Sequence, residues 1–210
     1  MKNIILATGM GLILLAPLSF AQEEGTNFTF NLGFGFTNPA GDTGRHLNEG
    51  WNLQGGFGYN FTPWVGANID LGYNNFSINS GTLSNIGVPS GSLNVFSATV
   101  DPIVHFNPNG HIDFYFTGGG GIFHRYQQFG QPSAAILPGF DPYFGFYPGM
   151  GPTSQIQGSY SVNKPGFDIG AGIAMGTRFH GKLFLEAKYD RMFVGNYHMD
   201  YLPVTAGFRW

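Results

Sequence analysis

The sequence predicts an all-β fold, an eight-stranded antiparallel up-and-down barrel. Two observations predict it. Apolar residues alternate with polar or small residues in eight separate segments, and the connections between these segments are alternately long and short. Alternation with a period of two is typical of a strand whose faces meet different surroundings. An even number of strands, with short turns at one rim and long loops at the other, indicates an up-and-down barrel.

The first four predicted strands occupy the N-terminal half of the chain. Residues 28–36 carry phenylalanine or leucine at every second position, and residues 51–61 alternate aromatic residues with asparagine, glutamine and glycine. The turn at Thr62-Pro63 leads directly into the third strand, residues 65–73. The fourth strand, residues 96–106, again keeps its apolar residues on one face.

The last four predicted strands follow the same pattern. Asn-Pro-Asn-Gly at 107–110 is a strong turn signal, and it precedes the fifth strand at 112–122. The remaining strands are 167–175, 183–189 and 202–210. The long connections are 37–50, 74–92, 125–159 and 193–201, and the short ones are 62–63, 107–110 and 178–182.

Charged residues give an independent check on the two faces, because the apolar face of each strand was fixed from aromatic and aliphatic residues alone. All but one of the charges in these strands fall on the opposite face: Asp70, Asp101, Asp113, Asp168, Glu186, Lys188, Asp190 and Arg209. The exception, Arg191, lies at a strand end, where its head group can reach lipid headgroups.

The composition favours a lipid-facing surface over a soluble one. Only 10% of residues are charged, whereas 34 are glycine and 22 are phenylalanine; ordinary soluble domains have about 25% charged residues. A closed barrel pairs every backbone group within lipid. A soluble β-sandwich remains the alternative, since short alternating strands are common to both classes. The net charge of −3 offers no basic footprint for nucleic acid.

The N-terminus predicts export. Lys2 precedes an apolar run over 4–18, and Ser19-Phe20-Ala21 supplies a small-x-small cleavage pattern. We therefore expect residues 1–21 to be a cleaved signal peptide and residues 22–210 to form the barrel domain.

The C-terminal segment LPVTAGFRW, residues 202–210, resembles the closing strand of small bacterial outer-membrane β-barrels of the outer-membrane protein A/X type, and residues 183–190 resemble their penultimate strand. The resemblance implies a location in the cell outer membrane, in contact with its lipids. It also implies that Gly207, Phe208 and Trp210 form part of a signal read by the barrel assembly machinery. Trp210 alternatively serves only as an anchor at the membrane interface.

Four inward charged residues on adjacent strands are predicted to form a polar network in the lumen: Glu186, Lys188, Asp190 and Arg209. An eight-stranded barrel is just wide enough to be filled by side chains, so the network is interpreted as a plug, with a gated proton or ion path as the alternative. Inward acids outnumber inward bases by six to two. Some acids must therefore lie at wet rims or be protonated.

No motif for catalysis, metal or a cofactor stands out. The six histidines show no HExxH or i, i+4 spacing, and the chain lacks cysteine altogether. His198 and Asp200 can be imagined as a base and its orienting group, but such a pair also needs a placed nucleophile. His105 and His111 flank a short turn and are interpreted as marking the periplasmic rim.

The third long connection is the main candidate for contact with a partner. Five aromatic residues, Phe140, Tyr143, Phe144, Phe146 and Tyr147, lie among prolines and glycines, and Asp141 is the only charge from 126 to 162. Exposed apolar surface usually indicates an interaction site. The alternatives are a lid folded over the barrel mouth, or flanks that extend the fifth and sixth strands above the membrane.

The prediction is therefore a non-enzymatic outer-membrane barrel with a structural or surface-interaction role, whose loops contact an extracellular protein or glycan. A narrow channel or transporter for small solutes, apolar ones included, is the second hypothesis. A barrel enzyme acting on lipids is the third.

Overall fold

Eight antiparallel strands close into one barrel in the computed structural model, which describes residues 27–85, 90–141, 145–177, 181–195 and 197–210. The strands are β1 Phe28–Ala40, β2 Leu47–Asn60, β3 Val65–Ile78, β4 Ser90–His105, β5 Ile112–Asp141, β6 Gly145–Gly176, β7 Lys182–Val194 and β8 Tyr197–Arg209. A 3-10 helix, Gly41–Arg45, follows β1, and a short helix α1, Ser80–Asn85, follows β3. Each strand pairs with its neighbours in sequence, and β1 pairs with β8. The predicted fold is confirmed, and the predicted signal peptide lies outside the described residues.

The two faces of the wall are those that the alternation predicts. Apolar side chains such as Phe34 and Ile169, each 60% exposed, point outward. All eight charged residues assigned to the opposite face are buried inside the barrel, and Asp101 and Asp113 are fully buried. Apolar outside and polar inside is the arrangement of a barrel surrounded by lipid.

Aromatic residues form two belts on the outer surface. At the end with the short turns, called the turn end, the rings of Tyr59 and Phe61 lie 5.5 Å apart. At the opposite end, called the loop end, Tyr73 packs between Trp51 and Phe96, with ring centroids 5.0 and 4.6 Å away. Aromatic side chains prefer membrane interfaces, so the belts mark the two edges of the bilayer. Among the described residues, no helix is long and apolar enough to span a membrane.

The predicted loop boundaries are wrong at the loop end, because the strands continue beyond the belt. The expected loop 37–50 shrinks to the short stretch between β1 and β2, and 193–201 shrinks to the turn between β7 and β8. In the expected loop 74–92, β3 runs on with Phe76 and Ile78 buried inside the barrel. Apolar and polar residues still alternate in this part of β3. The apolar ones face inward, because the outer surface of the barrel wall is in contact with water beyond the belt.

The third connection departs furthest from the expectation of a loop over 125–159. Its arms belong to β5 and β6, which pair from Ile112↔Met175 to Asp141↔Gly145 with one shift in register between Phe129 and Gly130. Pairing with β4 stops at Gly130 and pairing with β7 stops at Gly166. Residues 131–141 and 145–155, called the ribbon, therefore pair only with each other, as in the alternative that extends the two strands above the membrane.

Candidate functional site

The lumen is filled by three layers of side chains. Near the turn end lies a small apolar cluster made of Ile103, Tyr115, Ala174 and Phe184. Near the loop end lies a larger one, called the upper cluster, whose buried members are Leu47, Phe76, Ile78, Leu83, Leu93, Val95, Phe123, Met192, Met199 and Tyr201. The buried charged residues around Lys188 and Glu186 occupy the layer between them, called the charged layer, whereas Asp113 lies at the turn end beside His105 and Lys182. Apolar side chains therefore lie on both sides of the charged layer.

Lys188 is the centre of the charged layer. Its Nζ donates hydrogen bonds of 2.7 Å to Asp70 and 2.7 Å to Asp101, and it lies 4.0 Å from Asp168. These acids come from β3, β4 and β6, so one lysine on β7 joins walls on opposite sides of the barrel. All four side chains are buried, and buried charges are stable only when they are paired in this way.

The second part of the layer is built on Glu186. Its carboxylate accepts a 2.9 Å hydrogen bond from Gln54 and lies 3.9 Å from the Arg209 guanidinium. Arg209 also lies over the ring of Tyr115, 4.6 Å from its centroid, a distance at which a cation is attracted to an aromatic face. The structure therefore brings Glu186 and Arg209 together as the sequence suggests.

The predicted set of four residues is not a single network. Lys188 pairs with Asp70 and Asp101, which lay outside that set, while Asp190 forms no ion pair within the described part of the chain. Sequence alternation places all of them inside but gives no distance across the barrel. The inward position of Asp70 and Asp101 in the middle of β3 and β4 is the feature of the sequence that could have indicated these partners of Lys188.

Excess negative charge remains in this layer. Asp101, Asp168 and Asp190 each keep one buried carboxylate oxygen without a hydrogen-bond partner among the described residues. A cavity of about 30 Å³ lies beside Lys188, Asp168 and Asp190. That is room for about one water molecule, whose two O–H groups can donate to two of the open oxygens.

Two of the histidines lie beside aspartate side chains. His105 Nδ1 lies 2.6 Å from Asp113 at the turn end, where Lys182 approaches the same carboxylate at 3.5 Å. At the loop end, His198 Nε2 lies 3.4 Å from Asp200. Asp200 accepts two hydrogen bonds, of 2.8 and 2.9 Å, from Arg191, so it is already committed to a structural pair. The described residues contain no group of three or more side chains suited to a metal ion.

The comparison with known proteins agrees with this architecture. The sequence profile of the family described as outer membrane protein beta-barrel domain matches residues 6–209. The chain belongs to this outer-membrane β-barrel family. Its location is therefore the outer membrane. Barrels of this kind have their short turns on the periplasmic side, so we expect the loop end to face the outside of the cell. A search of curated protein sequences finds no match.

Solved structures show the same fold in other outer-membrane barrels. Neisserial surface protein A, from Neisseria, is 13% identical and has a TM-score of 0.57, with 89% of this chain and 98% of that chain covered. A major outer membrane protein from Thermus thermophilus is 11% identical, with a TM-score of 0.55 and coverage of 87% and 99%. At such low identity the likeness extends to the fold alone.

The C-terminal strand closes this outer-membrane barrel. Gly207 and Phe208 pair with Gly33 and Leu32 of β1, and the backbone of Trp210 exchanges hydrogen bonds of 2.8 and 3.1 Å with Phe30. The rings of Phe208 and Trp210 lie 4.8 Å apart. The contribution of these residues to an assembly signal stays a prediction.

The aromatic residues predicted for contact are placed by the backbone alone. Phe140, Phe146 and Tyr147 belong to the strands of the ribbon, and Phe140 is paired with Phe146. Tyr143 and Phe144 lie outside the described residues.

Proposed function

We propose that this outer-membrane barrel is a surface-interaction protein whose ribbon contacts a protein or glycan outside the cell. The observation that carries the proposal is the reach of the ribbon. It begins beyond the last pairing with β4 at Gly130 and continues for 11 residue pairs, from Gln131↔Gln155 to Asp141↔Gly145. At a rise of about 3.3 Å per residue, that is roughly 35 Å.

The composition of the ribbon suits contact through side chains. Asp141 is its only charge, and Pro132, Pro138, Pro148 and Pro152 recur along its two strands. Proline removes a backbone donor and discourages strand-to-strand aggregation at an open edge. Aromatic side chains are enriched at interfaces and carry much of the binding energy there. The ribbon therefore combines strand edges that resist aggregation with aromatic residues suited to contact with a partner.

The filled lumen favours this role over that of a channel. The charged layer around Lys188 is covered toward the loop end by Phe76, Phe123 and Met192, all of which are fully buried. Opening a path would require moving packed apolar side chains and breaking buried ion pairs, both of which are costly. Contact with a partner through the ribbon requires no such rearrangement of the lumen.

Shortening the ribbon tests the proposal. Deleting residues 138–152 leaves Ser133 paired with Thr153, so residues 134–137 can close the hairpin as a four-residue turn. Bacteria that display the intact or the shortened protein would be compared for self-aggregation and for retention on laminin and on hyaluronan. We expect the shortened protein to lose at least nine tenths of the retention on whichever surface the intact protein binds.

A second variant separates aromatic chemistry from length. It keeps the full ribbon and replaces Phe140, Tyr143, Phe144, Phe146 and Tyr147 by serine. We expect it to behave like the deletion, because the rings supply the contact. Surface display of both variants would be verified with a tag. Equal retention of all three proteins, or retention no greater than that of bacteria without the protein, would contradict the proposal and leave a structural role.

A further inference from the structure

The extracellular end of the barrel contains an open cavity of about 500 Å³, called the mouth cavity. It lies on top of the upper cluster and is walled by the 3-10 helix, α1 and the upper parts of β5 and β8. Pockets for small organic ligands usually have 300 to 1,000 Å³. The mouth cavity is therefore large enough for such a ligand, and it is separate from the ribbon tip.

Two hydrogen bonds on the outer surface place the mouth cavity above the lipid. On the outer surface just beyond the belt of Trp51, Tyr73 and Phe96, polar groups replace apolar ones. Asn94 accepts hydrogen bonds of 3.0 Å from the Tyr73 hydroxyl and 2.6 Å from the Asn75 amide. The cavity opens further out still, so a ligand enters it from the external medium.

The floor of the mouth cavity is apolar. It consists of Leu47, Ile78, Leu93 and Met199, each at most 7% exposed and each part of the upper cluster. These side chains come from four different strands and are fixed by packing below. An apolar group of a ligand that rests on these side chains is removed from water. Because the floor is already ordered, binding does not require further loss of conformational entropy there, as is usual for a preformed pocket.

Arg125 gives the wall of the mouth cavity an unpaired cationic group. It forms no ion pair or hydrogen bond within the described residues, and its Nε is buried there without an acceptor. The Tyr160 ring is its contact, with a centroid 5.8 Å from the guanidinium carbon. The acid in the lining of the cavity, Asp42, is paired with Arg45 at 3.5 Å. Arg125 as a whole is half-buried, but its Nε is a buried donor without an acceptor, which is unfavourable. A ligand that supplies an acceptor to this nitrogen is therefore stabilised.

We propose that the mouth cavity binds a water-soluble organic acid whose carboxylate pairs with Arg125 and whose apolar body rests on the floor. The planar guanidinium presents donors in a fork that matches the two oxygens of a carboxylate. An uncharged apolar molecule would leave the Nε of Arg125 unsatisfied. A highly charged anion would gain nothing from Leu93 and Met199. The combination therefore selects a monoanion with one apolar end.

The test uses 2-naphthoate, and 2-naphthalenemethanol as its uncharged analogue. The full mature barrel in lipid nanodiscs would be labelled at methyl groups, and each compound titrated while the NMR signals of Ile78, Leu93 and Met199 are followed. We expect saturable shifts of these signals with naphthoate, and at least tenfold weaker binding of the alcohol. The analogue comparison needs no variant, so it does not depend on the folding of one.

Two substitutions locate the charge. Arg125→Gln is expected to weaken naphthoate binding at least tenfold and to leave the alcohol unchanged, while Arg125→Lys should show an intermediate loss. Lys182→Gln, at the turn end, makes the same change in net charge and should have no effect. Equal binding of acid and alcohol, an unchanged affinity in Arg125→Gln, or the absence of shifts at the floor methyls would overturn the proposal. The outcome is independent of whether the ribbon mediates adhesion.

Discussion

At the scale of single residues, Lys188 shows how a narrow barrel tolerates charge in its centre. Its two 2.7 Å hydrogen bonds reach Asp70 and Asp101 on the far wall. Removing one member of a buried ion pair is far more costly than removing an exposed one, because it leaves uncompensated charge in a medium of low dielectric constant. The stability of the barrel should therefore depend more on this lysine than on any lysine at a rim.

Lys188→Met tests this dependence. We expect a loss of about 3 to 5 kcal/mol in the free energy of unfolding, measured by urea titration of the barrel in lipid vesicles with tryptophan fluorescence. Lys182→Met is the matched control, since the Lys182 side chain is 33% exposed and 3.5 Å from its acid. It should cost clearly less than Lys188→Met, because Asp113 keeps its 2.6 Å contact with His105.

A second comparison separates lost charge from lost packing. Adding Asp70→Asn and Asp101→Asn to Lys188→Met removes the unpaired carboxylates, so part of the lost stability should return. A triple variant less stable than Lys188→Met alone would contradict the electrostatic explanation.

Residue identities in the lumen could be predicted from sequence, but residue partners could not. The period of two placed Asp70, Asp101 and Lys188 inside. Which of them meet depends on the tilt and stagger of strands that are far apart in sequence, up to 118 positions for Lys188 and Asp70. Local alternation carries no information about that stagger.

At the scale of strands, the apolar residues of a single strand face lipid along one part of its length and the barrel interior along another. In β3, Ile69 and Leu71 are exposed to lipid, whereas Phe76 and Ile78 are buried inside. The reversal occurs where the wall leaves the bilayer and becomes comparable to a soluble barrel with an apolar core. The sequence predicts a strand over 65–73 and a loop over 74–92. A single apolar face cannot be followed across the change, because the apolar residues move to the other set of alternate positions.

The seam between β1 and β8 depends on a glycine. A β-carbon on Gly35 would overlap the carbonyl oxygen of Val204 on β8, so Gly35→Ala would force the two strands apart. We expect a loss of about 1 to 3 kcal/mol, as for other overpacked sites, measured by urea titration in vesicles. A β-carbon on Gly176 has no neighbour within 4 Å. Gly176→Ala should therefore leave the stability nearly unchanged, and equal losses in both variants would show that the seam tolerates the extra atom.

At the scale of the whole molecule, the barrel and the ribbon are expected to be separable. The barrel has a closed sheet and a lumen filled by two apolar clusters around a charged layer. The ribbon has none of these supports, because its two strands pair only with each other. A two-stranded hairpin is marginally stable by itself. The loss of the ribbon should therefore leave the barrel intact.

Electrophoresis in SDS measures this separation. A closed barrel has no edge strand from which unfolding can begin within lipid, so the intact protein should migrate faster unheated than boiled. The protein lacking residues 138–152 should show the same heat-dependent shift at the same temperature, within a few degrees, because the deletion leaves all pairs of the barrel wall in place. Gly35→Ala, which alters the closing seam, should lose its shift at a lower temperature than either. A shortened protein that migrated identically before and after boiling would show instead that the ribbon is needed to close the barrel, and its proposed role as a separate contact element would fail.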